Sequence, residues 1–138
     1  MKKKILITGA SGFVGQLSID YFKKKYSLIL VDKHTLSVKN FFNIDITDYN
    51  KINNLIRKKK PDIILHYASE IFDNNNKSQI DNNNVQGTFN LIRAASENKI
   101  KNFIFTSTFS IFEKNYPYLL KETEPISCNN LYGLSKAE

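Results

Sequence analysis

The sequence predicts an α/β fold built on a doubly wound parallel sheet, and three observations carry that prediction. Short apolar runs of strand length alternate with segments whose apolar residues recur at helical spacing. Each strand-and-helix pair takes about 25–35 residues, the length of a βαβ unit. The first strand ends in three glycines spaced G-x-x-G-x-x-G, directly before a helix. Right-handed crossovers then favour the strand order 3-2-1-4-5.

Length and composition describe one domain of 138 residues, 41% of them hydrophobic. No apolar run approaches membrane length, so we expect no membrane partner. The apolar run after the lysines at residues 2–4 ends at Ile7, which is too short for the core of a signal peptide. The single Cys128 excludes an internal disulfide and fits a reducing compartment. We therefore predict a cytoplasmic protein.

The net charge of +7 raises the question of nucleic-acid binding. The excess lies in three basic runs, at residues 2–4, 23–25 and 57–60. The last two fall at the ends of predicted helices, where cations complement the helix dipole and stay solvated. No aromatic residues are interleaved with them, so they offer no platform for stacking bases. We predict no nucleic-acid partner, and a basic RNA-binding domain ranks last among the functional alternatives.

The glycine turn follows the first strand, at residues 5–7, and the rest of the chain is organised around it. A strand that turns sharply into a helix presents free backbone N–H groups and the positive end of the helix dipole, which suit a phosphate. Gly9 permits the tight turn, Gly12 lets the backbone approach a pyrophosphate, and Gly15 lets the helix lie close to the strand. The turn therefore predicts a nucleotide site.

The remaining elements follow from the same periodicities. A helix is predicted over about residues 13–25, from the spacing of Phe13, Val14, Leu17, Tyr21 and Phe22. Further strands are predicted at residues 28–31, 41–44, 63–68 and 103–105. A second helix, capped by Thr47 or Asp48, is carried by Ile52, Leu55 and Ile56. After a polar loop at residues 72–78, a long helix is predicted with the buried stripe Val85, Phe89, Ile92 and Ala95. A last helix opens at about residue 130.

Two single residues lie at the ends of predicted strands. Asp32 closes the second strand, 17 residues after Gly15, near the spacing at which a carboxylate meets the adenosine ribose hydroxyls. A turn or cap aspartate is the alternative, and the glycine turn upstream favours the ribose role. His66 sits near the end of the fourth strand, where we predict a structural role over a catalytic one.

Tyr132 and Lys136 are four residues apart, so on a helix they lie one turn apart on the same face. An ammonium beside a phenol favours the phenolate. Such a tyrosine can take a proton from an alcohol as hydride leaves the same carbon, or return it to a carbonyl. Thr108, after the fifth strand, is the candidate hydroxyl that holds the reacting oxygen. Alone the pair is more often structural; its place after a dinucleotide-type sheet favours catalysis.

Several motifs in order resemble the NAD-dependent epimerase/dehydratase group of extended short-chain dehydrogenases, which are Rossmann-like and act largely on nucleotide sugars. The resemblance covers nearly all of the chain. The matching segments are residues 8–15, Asp32, residues 45–46, 65–68, 84–91, 105–108 and 132–138.

The resemblance implies NAD as the cofactor and a nucleotide sugar as the substrate. Tyr132 would be the acid/base, Lys136 would also bind the nicotinamide ribose, and Thr108 would be the hydroxyl partner. The carboxylate of Asp32 would bind the adenosine ribose and repel a 2′-phosphate, which favours NAD over NADP, although Lys33 leaves NADP open. The other implied cofactor-binding residues are Gly9, Ser11, Gly12, Phe13, Val14, Gly15, Asp45, Ile46, Tyr67, Ala68, Ser69, Asn84 and Thr106. No metal site is expected.

The chain lacks two features of the family pattern. Acidic residues follow the catalytic hydroxyl in the family's dehydratases, whereas Phe109 and Ser110 stand here. This argues against 4,6-dehydration and leaves epimerase-like or carbonyl-reducing chemistry. Family members also continue beyond the Tyr-x-x-x-Lys helix into a part that grips the substrate. We therefore expect residues 1–138 to be a dinucleotide-binding domain truncated before the substrate domain, with an exposed fifth strand and no turnover alone.

Other interpretations stay open from the sequence. One is a non-catalytic dinucleotide-binding or assembly module that uses the open sheet edge to contact a partner. Another is an NADP-dependent carbonyl reductase. The chain could be an N-terminal fragment, the product of a split gene or an arbitrary boundary, and a homodimer is compatible with each.

Overall fold

The computed structural model describes residues 2–71, 77–112 and 119–138. The described elements are, in order, β1 (Lys4–Thr8), α1 (Phe13–Phe22), β2 (Ser27–Asp32), β3 (Phe41–Asn43), α2 (Tyr49–Lys59), β4 (Ile63–His66), α3 (Lys77–Ile80), a π-helical segment (Asp81–Gln86), α4 (Gly87–Glu97), β5 (Asn102–Phe105), a 3₁₀ helix (Phe109–Ile111) and α5 (Leu131–Ala137). The strands form one parallel sheet in the order β3-β2-β1-β4-β5. The predicted fold and strand order are confirmed.

Strand β1 is the centre of the sheet and is buried on both faces. Leu6 pairs with Ile29 of β2 and Ile64 of β4. These residues pack on one face with apolar residues of α2 and α4. Ile5 and Ile7 point to the other face, where residues of α1 pack. A strand covered on both faces needs a continuous apolar run, which is why the strands were recognisable in the sequence.

Helix α1 begins at Phe13 and ends at Phe22, three residues before its predicted end, and residues 23–25 form a turn. Ile19 and Phe22 pack against the core below the helix. Four of the five apolar residues that predicted this helix are exposed, namely Phe13, Val14, Leu17 and Tyr21. The periodicity therefore identified the helix but not its buried face.

The predicted buried stripe of α4 is wrong in part. Ala95 is buried as predicted, but Phe89 and Ile92 are exposed. Asn90, Leu91 and Ala94 face the interior instead. The reason is that α4 approaches its neighbours through small and amide residues. A Cβ atom on Gly87 would lie 2.7 Å from the side chain of Ile46. The Asn90 amide donates to the backbone oxygens of residues 46 and 47, at 3.2 and 2.9 Å.

The remaining elements lie close to their predicted positions. Asp48 caps α2 by accepting a hydrogen bond from the backbone of Lys51 at 3.1 Å. Strand β4 ends at His66, two residues before its predicted end. Of the predicted loop at 72–78, residues 72–76 lie outside the described residues, and Lys77 begins α3. Within the described ranges β5 pairs with β4 alone, and no helix there has the length and apolarity needed to cross a membrane.

Candidate functional site

The carboxyl ends of the strands meet at one edge of the sheet and enclose a cavity of about 440 Å³. This is the edge at which open parallel sheets bind ligands. The cavity is lined by sixteen of the predicted site residues: Gly9, Ser11, Gly12, Phe13, Val14, Gly15, Asp32, Lys33, Asp45, Ile46, Tyr67, Ala68, Ser69, Thr106, Tyr132 and Lys136. The structure thus brings together residues from the whole length of the sequence.

The glycine turn forms one wall of the cavity. Gly9 has φ of +70°, and a Cβ atom there would lie 2.5 Å from the backbone nitrogen of Ala68. A Cβ atom on Gly15 would lie 2.1 Å from the backbone oxygen of Gly9. Gly12 caps α1 without a side-chain hydrogen bond, so the backbone N–H groups of the first turn stay available to a ligand.

Asp32 is held in a fixed orientation at the end of β2. One of its carboxylate oxygens accepts from the backbone of Ser11 and the other from the backbone of His34, both at 2.9 Å. The side chain is 9% exposed and lines the cavity. A carboxylate fixed in this way presents its remaining lone pairs to a ligand hydroxyl.

Lys33 and Glu70 form an ion pair across the same end of the cavity, with 2.5 Å between Nζ and Oε1. Lys33 follows β2 and Glu70 follows β4. Glu70 was not predicted from the sequence, although its position four residues after His66 places it at the carboxyl edge of the sheet. The cavity is also lined by further residues that were not predicted, namely Val31, His34, Ile44, Ile71 and Asn83.

Asn84 lies behind the cavity wall and not in it. Its side chain is 2% exposed, and its oxygen accepts from the backbone of Glu70 at 2.7 Å. Its amide nitrogen donates to the backbone oxygen of Glu70 and to Oγ of Ser135, both at 2.9 Å. Asn84 therefore links the segment after β4 to α5, and its predicted contact with a cofactor stays a prediction.

Helix α5 carries Tyr132 and Lys136 into the cavity. Asn130 caps it by accepting from the backbone of Gly133 at 2.7 Å. A Cβ atom on Gly133 would lie 2.1 Å from the backbone oxygen of Ser110, so α5 packs directly on the 3₁₀ helix. This close contact fixes the position of both polar side chains.

The ammonium of Lys136 is buried beside Tyr132. Lys136 is 7% exposed, and burial lowers its pKa to about 8. Its Nζ lies 4.6 Å from the centre of the Phe105 ring and 6.0 Å from that of the half-buried Tyr132 ring. Among the ion pairs between described residues, none includes Lys136. The charge is therefore held near the phenol, and no carboxylate of the described residues forms an ion pair with it.

His66 is buried at the end of β4 and does not line the cavity. Nδ1 is 2.7 Å from the hydroxyl of Thr8, and Nε2 is 2.8 Å from that of Thr88. Burial, and then the charge of Lys136, lower the pKa of His66 to about 3. The imidazole is neutral at physiological pH and ties β1 to α4.

Thr108 does not line the cavity. Its hydroxyl accepts from the backbone of Ser110 at 3.2 Å and caps the 3₁₀ helix, against which α5 packs. Thr106, two residues earlier, is the hydroxyl residue that reaches the cavity from β5. The catalytic role of Thr108 stays a prediction.

The sequence matches the model of the family described as NAD-dependent epimerase/dehydratase over residues 5–138. The chain belongs to this family. It is 32% identical to dTDP-D-glucose 4,6-dehydratase of Dictyostelium discoideum over 129 residues, which cover 80% of this chain and 30% of that protein. It is 26% identical to UDP-glucose 4-epimerase 2 of Arabidopsis thaliana, over 99% of this chain and 45% of the relative.

Solved structures of other proteins share the fold of this member of the epimerase/dehydratase family. It is similar to the UDP-Glc/GlcNAc 4-epimerase of Campylobacter jejuni with a TM-score of 0.90 and 28% identity, over 98% of this chain and 46% of that one. The chain thus spans less than half the length of these relatives.

Proposed function

We propose that this chain is the cofactor-binding half of an NAD-dependent nucleotide-sugar epimerase or a related oxidoreductase, with Tyr132 as the acid/base. The observation that supports it is one cavity lined by the glycine turn, by Asp32 and by the Tyr132–Lys136 pair. The first two suit a dinucleotide, and the third suits proton transfer at a reacting alcohol.

The residues of the cavity fit NAD. The first turn of α1 would hold the pyrophosphate, and Asp32 would accept from the adenosine ribose. At Ser69 the buried hydroxyl oxygen has no hydrogen-bond partner among the described residues, which suits a polar group of a ligand. Lys136 adds a buried cation near the place expected for the nicotinamide ribose. When bound, NAD supplies reversible hydride transfer to and from a sugar carbon.

The chain's own residues perform the proton transfer in this proposal. The phenol oxygen of Tyr132 takes the hydroxyl proton of the sugar and later returns it. The buried ammonium of Lys136, 6.0 Å from the centre of the Tyr132 ring, would stabilise the negative charge on the phenolate oxygen that accepts this proton. With a pKa of about 8, Lys136 stays mostly charged at neutral pH. The hydroxyl of Thr108, or that of the cavity-lining Thr106, would orient the reacting oxygen.

The names of the relatives support the substrate class of this proposal, and the residues that follow Thr108 support its reaction type. The relatives are named as epimerases and dehydratases of nucleotide sugars. Phe109 and Ser110 follow Thr108 in this chain, so no carboxylate stands where an elimination would need an acid or base. Epimerisation or carbonyl reduction therefore fits better than dehydration.

Binding of NAD is the direct test. At a concentration of NAD one hundred times its Kd, we expect a stabilisation of about 2.7 kcal/mol, or a rise in melting temperature of several degrees. Gly15→Ala should abolish the shift, because the added Cβ would overlap the backbone oxygen of Gly9. Asp20→Asn, on the exposed surface of α1, is the matched control that keeps it. No shift at millimolar NAD would contradict the proposal.

Turnover tests the second half of the proposal. Since the chain covers less than half the length of the three relatives named above, we expect no conversion of a nucleotide sugar by residues 1–138 alone. In a protein that contains this chain together with a substrate-binding part, Tyr132→Phe should remove turnover while NAD still binds. Turnover that survives this substitution would favour a non-catalytic role for the tyrosine.

A further inference from the structure

The ion pair between Lys33 and Glu70 lies at the end of the cavity that holds Asp32. The two side chains are 34% and 29% exposed, so the pair is partly shielded from water. Lys33 directly follows Asp32 in the chain, and all three residues line the cavity. The ammonium next to the proposed ribose site is therefore already paired with a carboxylate.

Hydrogen bonds from neighbouring side chains hold the backbone at both residues of the ion pair. The amide of Asn43 donates to the backbone oxygen of Lys33 at 2.8 Å. The amide of Asn84 bonds the backbone N–H and the backbone oxygen of Glu70, at 2.7 and 2.9 Å. These hydrogen bonds fix the backbone positions from which the two side chains reach each other. The carboxylate of Glu70 is thus part of the site before any ligand binds.

This arrangement matters for the choice between NAD and NADP. A 2′-phosphate carries nearly two negative charges at neutral pH and needs a cation close to it. The cationic residue types that line the described cavity are Lys33, His34 and Lys136. Lys136 lies beside Tyr132 on α5, and His34 uses its backbone to hold Asp32. Lys33 is the ammonium that a 2′-phosphate beside Asp32 would need.

We infer that Glu70 is a specificity-determining residue for the cofactor: by holding Lys33 in an ion pair, it denies this ammonium to a 2′-phosphate and selects NAD over NADP. Asp32 repels the phosphate directly, and Glu70 removes the group that would compensate for that repulsion. The inference rests on the proposed dinucleotide site. It also explains how a lysine next to Asp32, which by itself would favour NADP, is compatible with NAD selectivity.

The test measures the Kd of NAD and of NADP by calorimetry for the 138-residue chain and its variants. Glu70→Gln keeps the size of the side chain and removes its charge. We expect Glu70→Gln to raise the affinity for NADP relative to NAD by about tenfold, with little change in the Kd of NAD itself. Asp20→Asn changes the net charge equally and breaks the ion pair with Lys23 on the exposed surface of α1. This control should leave the ratio of the two Kd values unchanged.

The double variant Glu70→Gln/Lys33→Gln shows whether the effect runs through Lys33. We expect the gain for NADP to disappear in it. An unchanged ratio in Glu70→Gln, the same gain without Lys33, or loss of both cofactors in Glu70→Gln would each overturn the inference. If the unsubstituted chain binds no NAD, the proposed function fails as well; unchanged NAD binding with an unchanged ratio refutes the role of Glu70 alone.

Discussion

Lys136 carries a buried positive charge that no described carboxylate balances, and such a charge costs stability. We expect Lys136→Met to raise the free energy of unfolding at pH 7 by about 1–3 kcal/mol, while NAD binding weakens. Urea unfolding and calorimetry measure the two effects on the same samples. A variant that is less stable than the original chain would show that the ammonium is balanced by a partner.

The dependence of stability on pH tests whether the pKa of Lys136 is lowered in the folded chain. Burial places the pKa of Lys136 at about 8 in the folded chain, below its ordinary value of 10.5. Between these values the unfolded chain binds more protons, so this residue makes stability rise as the pH rises from 8 to 10.5. Below pH 8 its penalty is constant. The rise should be absent from Lys136→Met, and an equal slope in both proteins would contradict the assignment.

His66 should control how the stability of the chain depends on pH in the acidic range. Its pKa is about 3 in the folded chain against 6.5 ordinarily, chiefly because of burial. The unfolded chain binds the extra proton between these values, so stability should fall as the pH drops from 6.5 towards 3, by at most about 1.4 kcal/mol per pH unit. Urea unfolding at each pH measures the slope, and His66→Gln should reduce it. NMR should find the imidazole neutral at pH 5; an imidazolium signal there would refute the assignment.

At the level of single residues, the sequence predicted the cavity-lining residues that follow the end of a strand within a recognised motif. Asp32 and the glycines lie at the cavity because parallel strands bring their carboxyl ends to one edge. Glu70 was missed because its partner, Lys33, is 37 residues away and only the fold brings them together. Asn84 bonds to Glu70 and Ser135, which the sequence did not predict, and its expected contact with the cofactor stays a prediction.

At the level of elements, α5 depends on one glycine. Alanine is a better helix former than glycine by about 1 kcal/mol, so propensity alone predicts that Gly133→Ala stabilises the helix. The added Cβ would instead meet the backbone oxygen of Ser110 at 2.1 Å. We expect a loss of about 1–3 kcal/mol and faster amide exchange over Leu131–Ala137, because a helix of seven residues is not stable undocked.

Leu134→Ala is the matched control for this substitution. Leu134 is exposed on the same helix, so the change should leave amide exchange in α5 nearly as it is. Equal exchange rates in Gly133→Ala and in the unsubstituted chain would mean that α5 does not rest on the 3₁₀ helix. The two variants thus separate the packing of the helix from its intrinsic propensity.

Elements were predictable where burial needs a continuous apolar run, and less so where it does not. The strands of the sheet were found within one or two residues, because β1, β2 and β4 are covered on both faces. The buried face of α4 was not, since Gly87 and Asn90 make its close contacts and apolar periodicity does not register such residues. The π-helical segment before it also departs from the period of 3.6 residues on which the pattern depends.

At the scale of the whole molecule, the three basic runs converge at the edge of the sheet opposite the cavity. Strand β1 starts there, and α1 and α2 end there. The ammonium of Lys2 donates to the backbone oxygen of Lys24 at 2.8 Å, and that of Lys4 to the backbone oxygen of Lys59 at 2.9 Å. These bonds satisfy carbonyl groups at the helix ends, but they also place like charges together.

This convergence predicts that salt stabilises the chain. Repulsion among the lysines at this edge is screened as the ionic strength rises, so the free energy of unfolding at pH 7 should increase by roughly 1 kcal/mol between 0.02 and 0.5 M NaCl.

Lys24→Glu places a carboxylate among these lysines and should raise stability at low salt while reducing the dependence on salt. Lys121→Glu changes the net charge equally but belongs to none of the three runs, so it should keep most of that dependence. Urea unfolding across the salt series measures all three proteins. If Lys24→Glu and Lys121→Glu respond alike, the effect belongs to the net charge of +7 and not to the meeting of the basic runs.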